Sequence, residues 1–365
     1  MITLTYKDLH RQFKLNGRSY SKVELKEVAY SLVKEGEEYE KSIGDFLIDW
    51  LNDKSTIIVH TSGSTGKPKP ITLQKQQMVN SACATGNFFH LQPNDTALLC
   101  LSADFIAGKM MLVRAMVLGL SIDCVAPSSK PLVKSKSSYD FVAMVPLQFR
   151  NSLNELDDVK KLIVGGAPVS YALKKEFLNA GQRTKVYETY GMTETITHIA
   201  IKPLLGELIA SDIDLDVFST LADIKISSDE RGCLVINAPL VSDEIIHTND
   251  MVELISDKQF KWLGRFDNII NSGGVKLFPE QIEAKLSPIL EARFFVTGLP
   301  DEKLGQKLVL IVEGIQQVSV LQEKIEKLTS LNKYEIPKQI FLADNFVETE
   351  SGKIQRKATL DKIAF

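Results

Sequence analysis

The stretch His60-Thr-Ser-Gly-Ser-Thr-Gly-Lys-Pro-Lys-Pro70 gathers small hydroxyl residues, two glycines and two lysines into one short segment, the composition of a loop that donates to phosphate oxygens. A Walker loop needs four residues between its first glycine and the Gly-Lys pair, with a helix opening at the lysine. Here only two residues separate Gly63 from Gly66, and Pro68 and Pro70 bias Lys67 and Lys69 away from helical geometry. The preceding Ser55-Thr-Ile-Ile-Val59 is β-branched and apolar, so the loop is expected to leave the end of a buried strand, where open α/β sheets place ligands. A solvated turn has the same composition, and the rest of the chain has to decide between the two.

Outward from that loop, short apolar runs recur as candidate strands: Ile57–Val59, Ala97–Leu101, Phe141–Val145, Lys161–Val164 and Lys185–Tyr187. Segments with helical spacing, such as Lys109–Leu118 and Ser170–Ala180, lie between several of them, and this alternation predicts a parallel α/β sheet. From about residue 205 the pattern shifts to shorter β-rich pieces, including Gly232–Ile236 and Val252–Ile255. After Gly264-Arg-Phe-Asp267 comes a section of helix, strand and charged helix, so a domain boundary is expected at 264–268.

The chain has 365 residues, enough for two domains, and a formal net charge of −3, which leaves no electrostatic footprint for nucleic acid. Cys83, Cys100, Cys124 and Cys233 are scattered, without metal-ligand or disulfide-framework spacing, as suits a reducing compartment. The N-terminus lacks the apolar core of a signal peptide, and the most apolar region, about 96–126, is interrupted by Asp104, Lys109 and Arg114, so no membrane span is expected. A cytoplasmic location follows as an expectation, with self-association left open.

Five further motifs follow the loop in order: Gly165-Gly-Ala-Pro168; Tyr190-Gly-Met-Thr-Glu194; Thr248-Asn-Asp250; Gly264-Arg-Phe-Asp267, continuing to Ser272-Gly-Gly274 and Pro279-Glu-Gln-Ile-Glu283; and Ser351-Gly-Lys353. With these the chain resembles, from about residue 55 to its end, the adenylate-forming superfamily of acyl-CoA synthetases, luciferases and peptide-synthetase adenylation domains. The resemblance implies that Thr61, Ser62, Gly63, Ser64, Thr65, Gly66 and Lys67 grip the β- and γ-phosphates of ATP. Gly165, Gly166, Ala167 and Pro168 would form the turn against adenine, where glycines let the backbone approach a planar base. Tyr190 would stack on adenine, with Gly191 beside it, while Thr193 bonds the α-phosphate and Glu194 binds Mg²⁺.

By the same resemblance Asp250 accepts from the ribose hydroxyls; Asn249 stands where the family usually has Gly, and a turn is expected there because Asn tolerates left-handed geometry better than most residues. Arg265 would hold ribose or phosphate, Asp267 would be the hinge, and Ser272, Gly273 and Gly274 would line a tunnel for the thiol of CoA. Lys353 would touch both the substrate carboxylate and the α-phosphate, making Lys353, Glu194 and Thr193 the catalytic set. Glu280 and Glu283 are expected on a charged helix face, and Arg356 and Lys357 as surface charge.

The implied fold is α/β: a large N-terminal domain (1–264) with parallel αβ layers and a β-rich subdomain, a hinge (265–267), and a small mobile α+β C-terminal domain (268–365). The implied activity is ATP-dependent carboxylate:CoA ligation through an acyl-adenylate, with ATP, Mg²⁺ and coenzyme A required and a small carboxylate as partner. The phosphate loop begins early for this family, so a large part of the usual N-terminal subdomain is expected to be missing or reduced. Within the family the chain is most similar to o-succinylbenzoate:CoA ligases of menaquinone biosynthesis. By family position Ala103–Arg114 lines the acyl pocket, including Phe105, Lys109 and Arg114. A buried lysine there is costly unless paired, either with a second substrate carboxylate or with an internal acid. Another acyl-CoA ligase, an adenylating enzyme that loads a carrier protein, and a non-catalytic nucleotide-binding protein are the alternatives.

Overall fold

The computed structural model describes residues 4–60, 69–132, 138–204, 216–348 and 354–363. In chain order these form a two-residue pair, β1 (Lys14–Leu15) and β2 (Arg18–Ser19), then a helical hairpin, α1 (Lys22–Glu35) and α2 (Glu38–Leu51). They continue through β3 (Thr56–His60), β4 (Pro70–Gln74), α3 (Lys75–Phe89), β5 (Thr96–Leu99), α4 (Ile106–Leu118) and β6 (Ser121–Cys124). Next come β7 (Tyr139–Met144), α5 (Pro146–Asn151), β8 (Val159–Val164), α6 (Tyr171–Ala180), β9 (Lys185–Gly191) and β10 (His198–Pro203). A β-rich run follows: β11 (Val217–Thr220), β12 (Lys225–Ser228), β13 (Cys233–Asn237), β14 (Ile246–Ser256) and β15 (Gln259–Arg265). The last elements are β16 (Ile270–Ser272), β17 (Val275–Leu277), α7 (Pro279–Leu286), β18 (Phe294–Asp301), β19 (Gly305–Glu313), α8 (Val318–Glu326), β20 (Gln339–Ala343) and α9 (Arg356–Leu360).

One sheet of the described residues runs β12-β13-β14-β15-β11-β10-β9-β8-β7-β5-β6-β1-β2. From β9 across β8, β7 and β5 to β6 and β1 the neighbours are parallel. From β9 to β10 the pairing turns antiparallel and stays so to β12. The mixed α/β architecture agrees with the sequence expectation, and the β-rich part is continuous with the parallel part. The end of β9, Tyr190 and Gly191, therefore lies where the sheet changes sense, the kind of place where loops diverge and ligands enter.

Apart from Lys109 and Arg114, helix α4 is apolar on every face because residues 110 to 117 are buried without a gap. Helix α6 starts where Ser170 accepts from the Leu173 N–H and stops at Gly181, which takes the left-handed conformation that a side chain disfavours. A separate sheet, β17-β16-β19-β18 with β20 parallel to β19, begins at Ile270, five residues after β15 ends, and is reached by way of the turn at Phe266–Asn268. Buried apolar clusters divide likewise, two drawn from residues 13–260 and two from 270–346.

One expectation is corrected. Ile57–Val59 belongs to β3, which pairs antiparallel with β4 from Thr56↔Gln74 to His60↔Pro70 in a two-stranded ribbon. The phosphate-loop segment thus joins the arms of a hairpin and does not leave a strand of the parallel sheet. The physical reason is visible in the alternation: Ile57 and Val59 are buried while Ile58 is 60% exposed, the pattern of a half-buried strand.

Lys75, at the start of α3, is wholly buried. Its Nζ donates to the Trp50 carbonyl at 3.0 Å, the Asn52 carbonyl at 3.2 Å and Asn52 Oδ1 at 3.0 Å, closing the C-terminal end of α2. Desolvation pulls its pKa down to about 8, partly offset by Asp49. Lys75→Met should cost about 2 kcal/mol by stranding those acceptors. The folded group sheds its proton near 8 while the unfolded one keeps it to 10.5, so its contribution to stability rises with pH across that window. Chemical denaturation should therefore show the variant's deficit widening from pH 8 to pH 10; a constant deficit would mean that Lys75 titrates normally.

Candidate active site

The parallel strand β8 ends in Gly165–Pro168, a largely exposed turn beside the end of β9. A Cβ on Gly165 would stand 2.3 Å from Thr189 Oγ1, and Gly166 has φ +83, so this path suits glycine at both places. The turn is fixed from below by Glu188, whose Oε1 accepts from the Val169 N–H at 3.1 Å. Glu188 is buried, with Lys202 at 3.3 Å and Lys174 at 3.6 Å. Sequence reasoning missed Glu188, although a carboxylate inside the apolar run of β9 was a visible signal.

Asp250 is the hub of the neighbouring cluster. It is buried in β14 and paired with Arg265 of β15. Tyr190 Oη donates to its Oδ2 at 2.7 Å, Trp262 Nε1 donates to its Oδ1 at 3.2 Å, and Arg265 Nη1 stands 3.6 Å away. Burial, followed by the Asp250 charge, pushes the Tyr190 phenol above its ordinary pKa, so it remains a donor. The Tyr190 ring meets Phe218 and Phe260 at centroid distances of 5.9 and 5.2 Å. Trp262 carried no motif and was not anticipated.

Thr248–Asp250 lies within β14, which corrects the expectation of a turn. Thr248 Oγ1 donates to the Leu234 carbonyl at 2.8 Å and accepts from the Asp250 N–H at 3.0 Å. Asn249 is not among the residues with positive φ. It instead accepts from Arg231 at 3.0 Å and donates to Asp267 Oδ2 at 3.2 Å. Arg265 Nη2 is 3.7 Å from the same carboxylate of Asp267.

Between β9 and β10 the chain makes a tight turn at Thr193–Thr195. Glu194 is exposed and makes no ion pair or side-chain hydrogen bond among the described residues. Ile196 is buried at φ 66 and ψ −60, costly geometry for a β-branched residue. Hydrogen bonds from Ile196 N to Thr193 O at 2.9 Å and from Thr197 N to Thr195 O at 2.7 Å hold it. Gly191 permits the return: a Cβ would lie 2.3 Å from the Thr197 carbonyl oxygen.

The helix α4 segment differs from expectation at Lys109. Its ammonium donates to the carbonyls of Ala103 and Asp104, the latter at 3.2 Å, and lies 5.6 Å from the Phe46 ring centroid. Desolvation lowers its pKa, with Asp104, Asp49 and Asp45 acting the other way. Backbone carbonyls thus satisfy a cation for which a carboxylate partner was expected. Phe105, at the N-cap of α4, is 44% exposed.

Arg114 is different. It is 1% exposed, its Nη2 donates to Thr197 Oγ1 at 3.3 Å, its Nη1 reaches Met111 Sδ at 3.7 Å, and its Nε has no partner. No acid forms an ion pair with it among the described residues, and burial pulls its pKa down to about 9. His198, also buried, joins the cluster through Thr197 and Thr85, each 3.4 Å from a ring nitrogen. Burial, followed by the charge of Arg114, holds the imidazole well below its ordinary pKa.

Ser272–Gly274 forms the turn between β16 and β17: Ser272 pairs with Val275, and Gly273 and Gly274 have φ 59 and 83. Glu280, Glu283 and Arg356, expected as solvated charge, are instead linked to one another and only partly exposed. Thr61–Lys67 and Lys353 lie outside the described residues. No group of three or more His, Cys, Asp or Glu residues among the described residues could hold a metal ion, and no described helix is long and apolar enough to cross a membrane.

A family described as AMP-binding enzyme matches residues 17–235. The 2-succinylbenzoate–CoA ligase of Geobacillus sp. (strain WCH70) is 26% identical over 342 residues, covering 83% of this chain and 68% of that protein. Its counterpart in Lactococcus lactis subsp. lactis (strain IL1403) is 24% identical, covering 85% and 71%. Among solved structures, an acyl-CoA synthetase (AMP-forming)/AMP-acid ligase II-like protein from Dyadobacter fermentans DSM 18053 is 37% identical with TM-score 0.60, covering 93% of this chain and 98% of that one. The o-succinylbenzoate coenzyme A synthetase of Bacillus subtilis, in complex with ATP and magnesium ion, has TM-score 0.73 at 20% identity, covering 95% and 83%, a likeness of fold.

Trp262→Phe keeps an aromatic ring in place and removes one donor to Asp250. It should weaken ATP binding about tenfold, the scale of a hydrogen bond to a charged group. Calorimetric titration of the variant and the unchanged protein measures this, and equal affinities would separate the Asp250 cluster from nucleotide binding.

Proposed function

The chain belongs to the family of AMP-binding enzymes, and on that premise we propose that it is an ATP-dependent carboxylate:CoA ligase that activates o-succinylbenzoate through an acyl-adenylate. The observation that carries the nucleotide half is the Asp250 cluster beside the Gly165–Pro168 turn, at the strand ends where the sheet changes sense. Asp250 keeps lone pairs for ribose hydroxyls beyond those used by Tyr190 and Trp262. Tyr190 and the glycine turn take the adenine between them, and Thr193 donates to the α-phosphate. Glu194, exposed and unengaged, fits Mg²⁺, which is commonly held by one or two carboxylates with substrate phosphates; when bound, the ion neutralises phosphate charge.

On the family resemblance, the loop Thr61–Lys67 would grip the β- and γ-phosphates and Lys353 would offset the charge of the carboxylate and the α-phosphate. A carboxylate oxygen attacks the α-phosphorus, the α–β bridging bond breaks and pyrophosphate leaves. The smaller C-terminal unit then turns about Asp267, the CoA sulfur attacks the acyl carbon by way of the Ser272–Gly274 turn, and AMP departs. The protein's contribution is positioning and charge stabilisation.

Arg114 supports the choice of acid. A buried guanidinium with one hydroxyl partner and an unpaired Nε is costly, and a second substrate carboxylate relieves that cost. Lys109, expected first for this task, is already held by backbone carbonyls. The names of the Geobacillus and Lactococcus relatives agree with a dicarboxylate.

A carboxylate screen for pyrophosphate release, with CoA added or withheld, tests both parts of this reading. The unchanged enzyme should prefer o-succinylbenzoate to its mono-ester and to benzoate. Arg114→Met should lower kcat/KM for o-succinylbenzoate about 100-fold, the scale for leaving a buried polar partner unmatched, and reduce the discrimination against the mono-ester while ATP binding is retained. A preference for a monocarboxylate would overturn the substrate, and the absence of pyrophosphate with every acid would overturn the ligase.

A further inference from the structure

The two carboxylates of α7 face in directions that join three separate parts of the chain. Glu280 Oε1 accepts from Asn268 Nδ2 at 2.5 Å, and Oε2, buried without a partner, points at Gly264. A Cβ on Gly264 would come within 2.3 Å of that oxygen, and the residue has φ +142. Glu280 is thus pressed against the segment on which the proposed hinge stands. One turn further along, Glu283 Oε1 accepts from the Val296 N–H at 2.8 Å, and Oε2 takes Arg356 Nη2 at 2.9 Å.

Arg356 completes the connection. Its Nη1 donates to the Val296 carbonyl at 3.1 Å, its Nη2 is 3.8 Å from Glu280 Oε1, and its guanidinium lies 5.6 Å from the Phe295 ring centroid. The residue before it, Gln355, donates its N–H to the Val347 carbonyl at 2.8 Å, and Ile354 bridges to Glu348. Arg356 therefore sits on the stem from which residues 349–353 depart.

We propose that Arg356 and Glu283 are positioning residues for the adenylation step: their ion pair ties the stem of the segment carrying Lys353 to α7, and Glu280 and Asn268 carry that tie to the hinge. This rests on the role assigned to Lys353 above. A surface ion pair would do little. This one is fixed by a backbone N–H on one side and a backbone carbonyl on the other, so the rigid fork of Arg356 sets both distance and direction. Misplacing a reacting group by about 1 Å can cost about 100-fold in rate. The charged groups facing Glu283 are Arg356 of α9 and Glu280 of its own helix, while β18 offers the Val296 N–H. Burial, opposed by Arg356, raises the Glu283 pKa to about 7.

The test compares Arg356→Gln, Arg356→Lys, Glu283→Gln and Lys285→Gln. Lys285 is the control: it lies on the same helix and pairs with Glu335 at 2.7 Å, away from the stem. Arg356→Gln should lose about 100-fold in adenylate formation and about threefold or less in thioester formation from supplied acyl-adenylate. Arg356→Lys should recover part of the loss, and Lys285→Gln should leave the ratio of the two rates unchanged. As pH falls through about 7, Glu283 takes up a proton and the pair is lost, so adenylation should fall there in the unchanged enzyme. Glu283→Gln should already have the low rate and lack that step.

Hydrogen exchange provides a readout independent of activity: the Gln355 amide should exchange about tenfold faster in Arg356→Gln and not in Lys285→Gln. Faster exchange with no adenylate formed by the unchanged protein would fault the ligase reading and leave the structural tie. Equal exchange in the two variants, equal loss of both half-reactions, or the pH step persisting in Glu283→Gln would overturn the proposal.

Discussion

The Asp250 carboxylate is the constraint to which the site answers. It is buried in an antiparallel strand, and two other strands converge on it: Tyr190 at the end of β9 and Trp262 on β15 donate hydrogen bonds, and the Arg265 cation of β15 stands 3.6 Å away. A buried carboxylate left unmatched costs several kcal/mol, so these contacts join the last parallel strand to the β-rich half. Tyr190 is consequently held in one pose before any ligand arrives, and Arg265 is held at the exit from β15. Pre-organisation of this kind places the cost of ordering in folding instead of binding.

Several buried charges elsewhere among the described residues are satisfied within the fold, and Arg114 departs from them. Lys75 closes the end of α2, Glu188 fixes the turn after β8 with two lysines near it, and Lys109 is satisfied by carbonyls. Arg114 has a single hydroxyl, a thioether and an unpaired Nε. Its neighbour His198 is kept neutral by burial and by that same cation, so the imidazole adds no second charge. The strained Ile196 is part of the turn that brings Thr197 to the guanidinium. Strain and an unmatched charge thus occur within a few residues of each other, next to the Thr193–Glu194 turn.

Much of this was legible in the chain. The apolar runs at 97–101, 141–145 and 161–164 fall in neighbouring parallel strands whose residues are mostly buried, as a sheet covered on both faces requires. Ordered motifs marked the turn at 165–168, which depends on local backbone geometry, and singled out Tyr190 and Asp250 separately. What escaped depended on contacts between distant residues. Ile57–Val59 has the composition of a sheet strand, and only its pairing with β4 makes it a ribbon. Trp262 became significant through Asp250, and Lys109 lost its expected partner because carbonyls one turn back were within reach. Glu283 and Arg356, separated by more than seventy positions, meet only because α9 folds back against α7 and β18.

An acyl-adenylate forms only if a carboxylate oxygen attacks the α-phosphorus of ATP, and an isotope follows that oxygen directly. With o-succinylbenzoate labelled with ¹⁸O in both carboxylates, supplied with ATP and CoA, mass spectrometry of the products should find one ¹⁸O in each AMP formed and none in pyrophosphate. Label in orthophosphate together with ADP would mean that an acyl phosphate is formed, and unlabelled AMP would mean that water attacks the nucleotide; either result would contradict the acyl-adenylate.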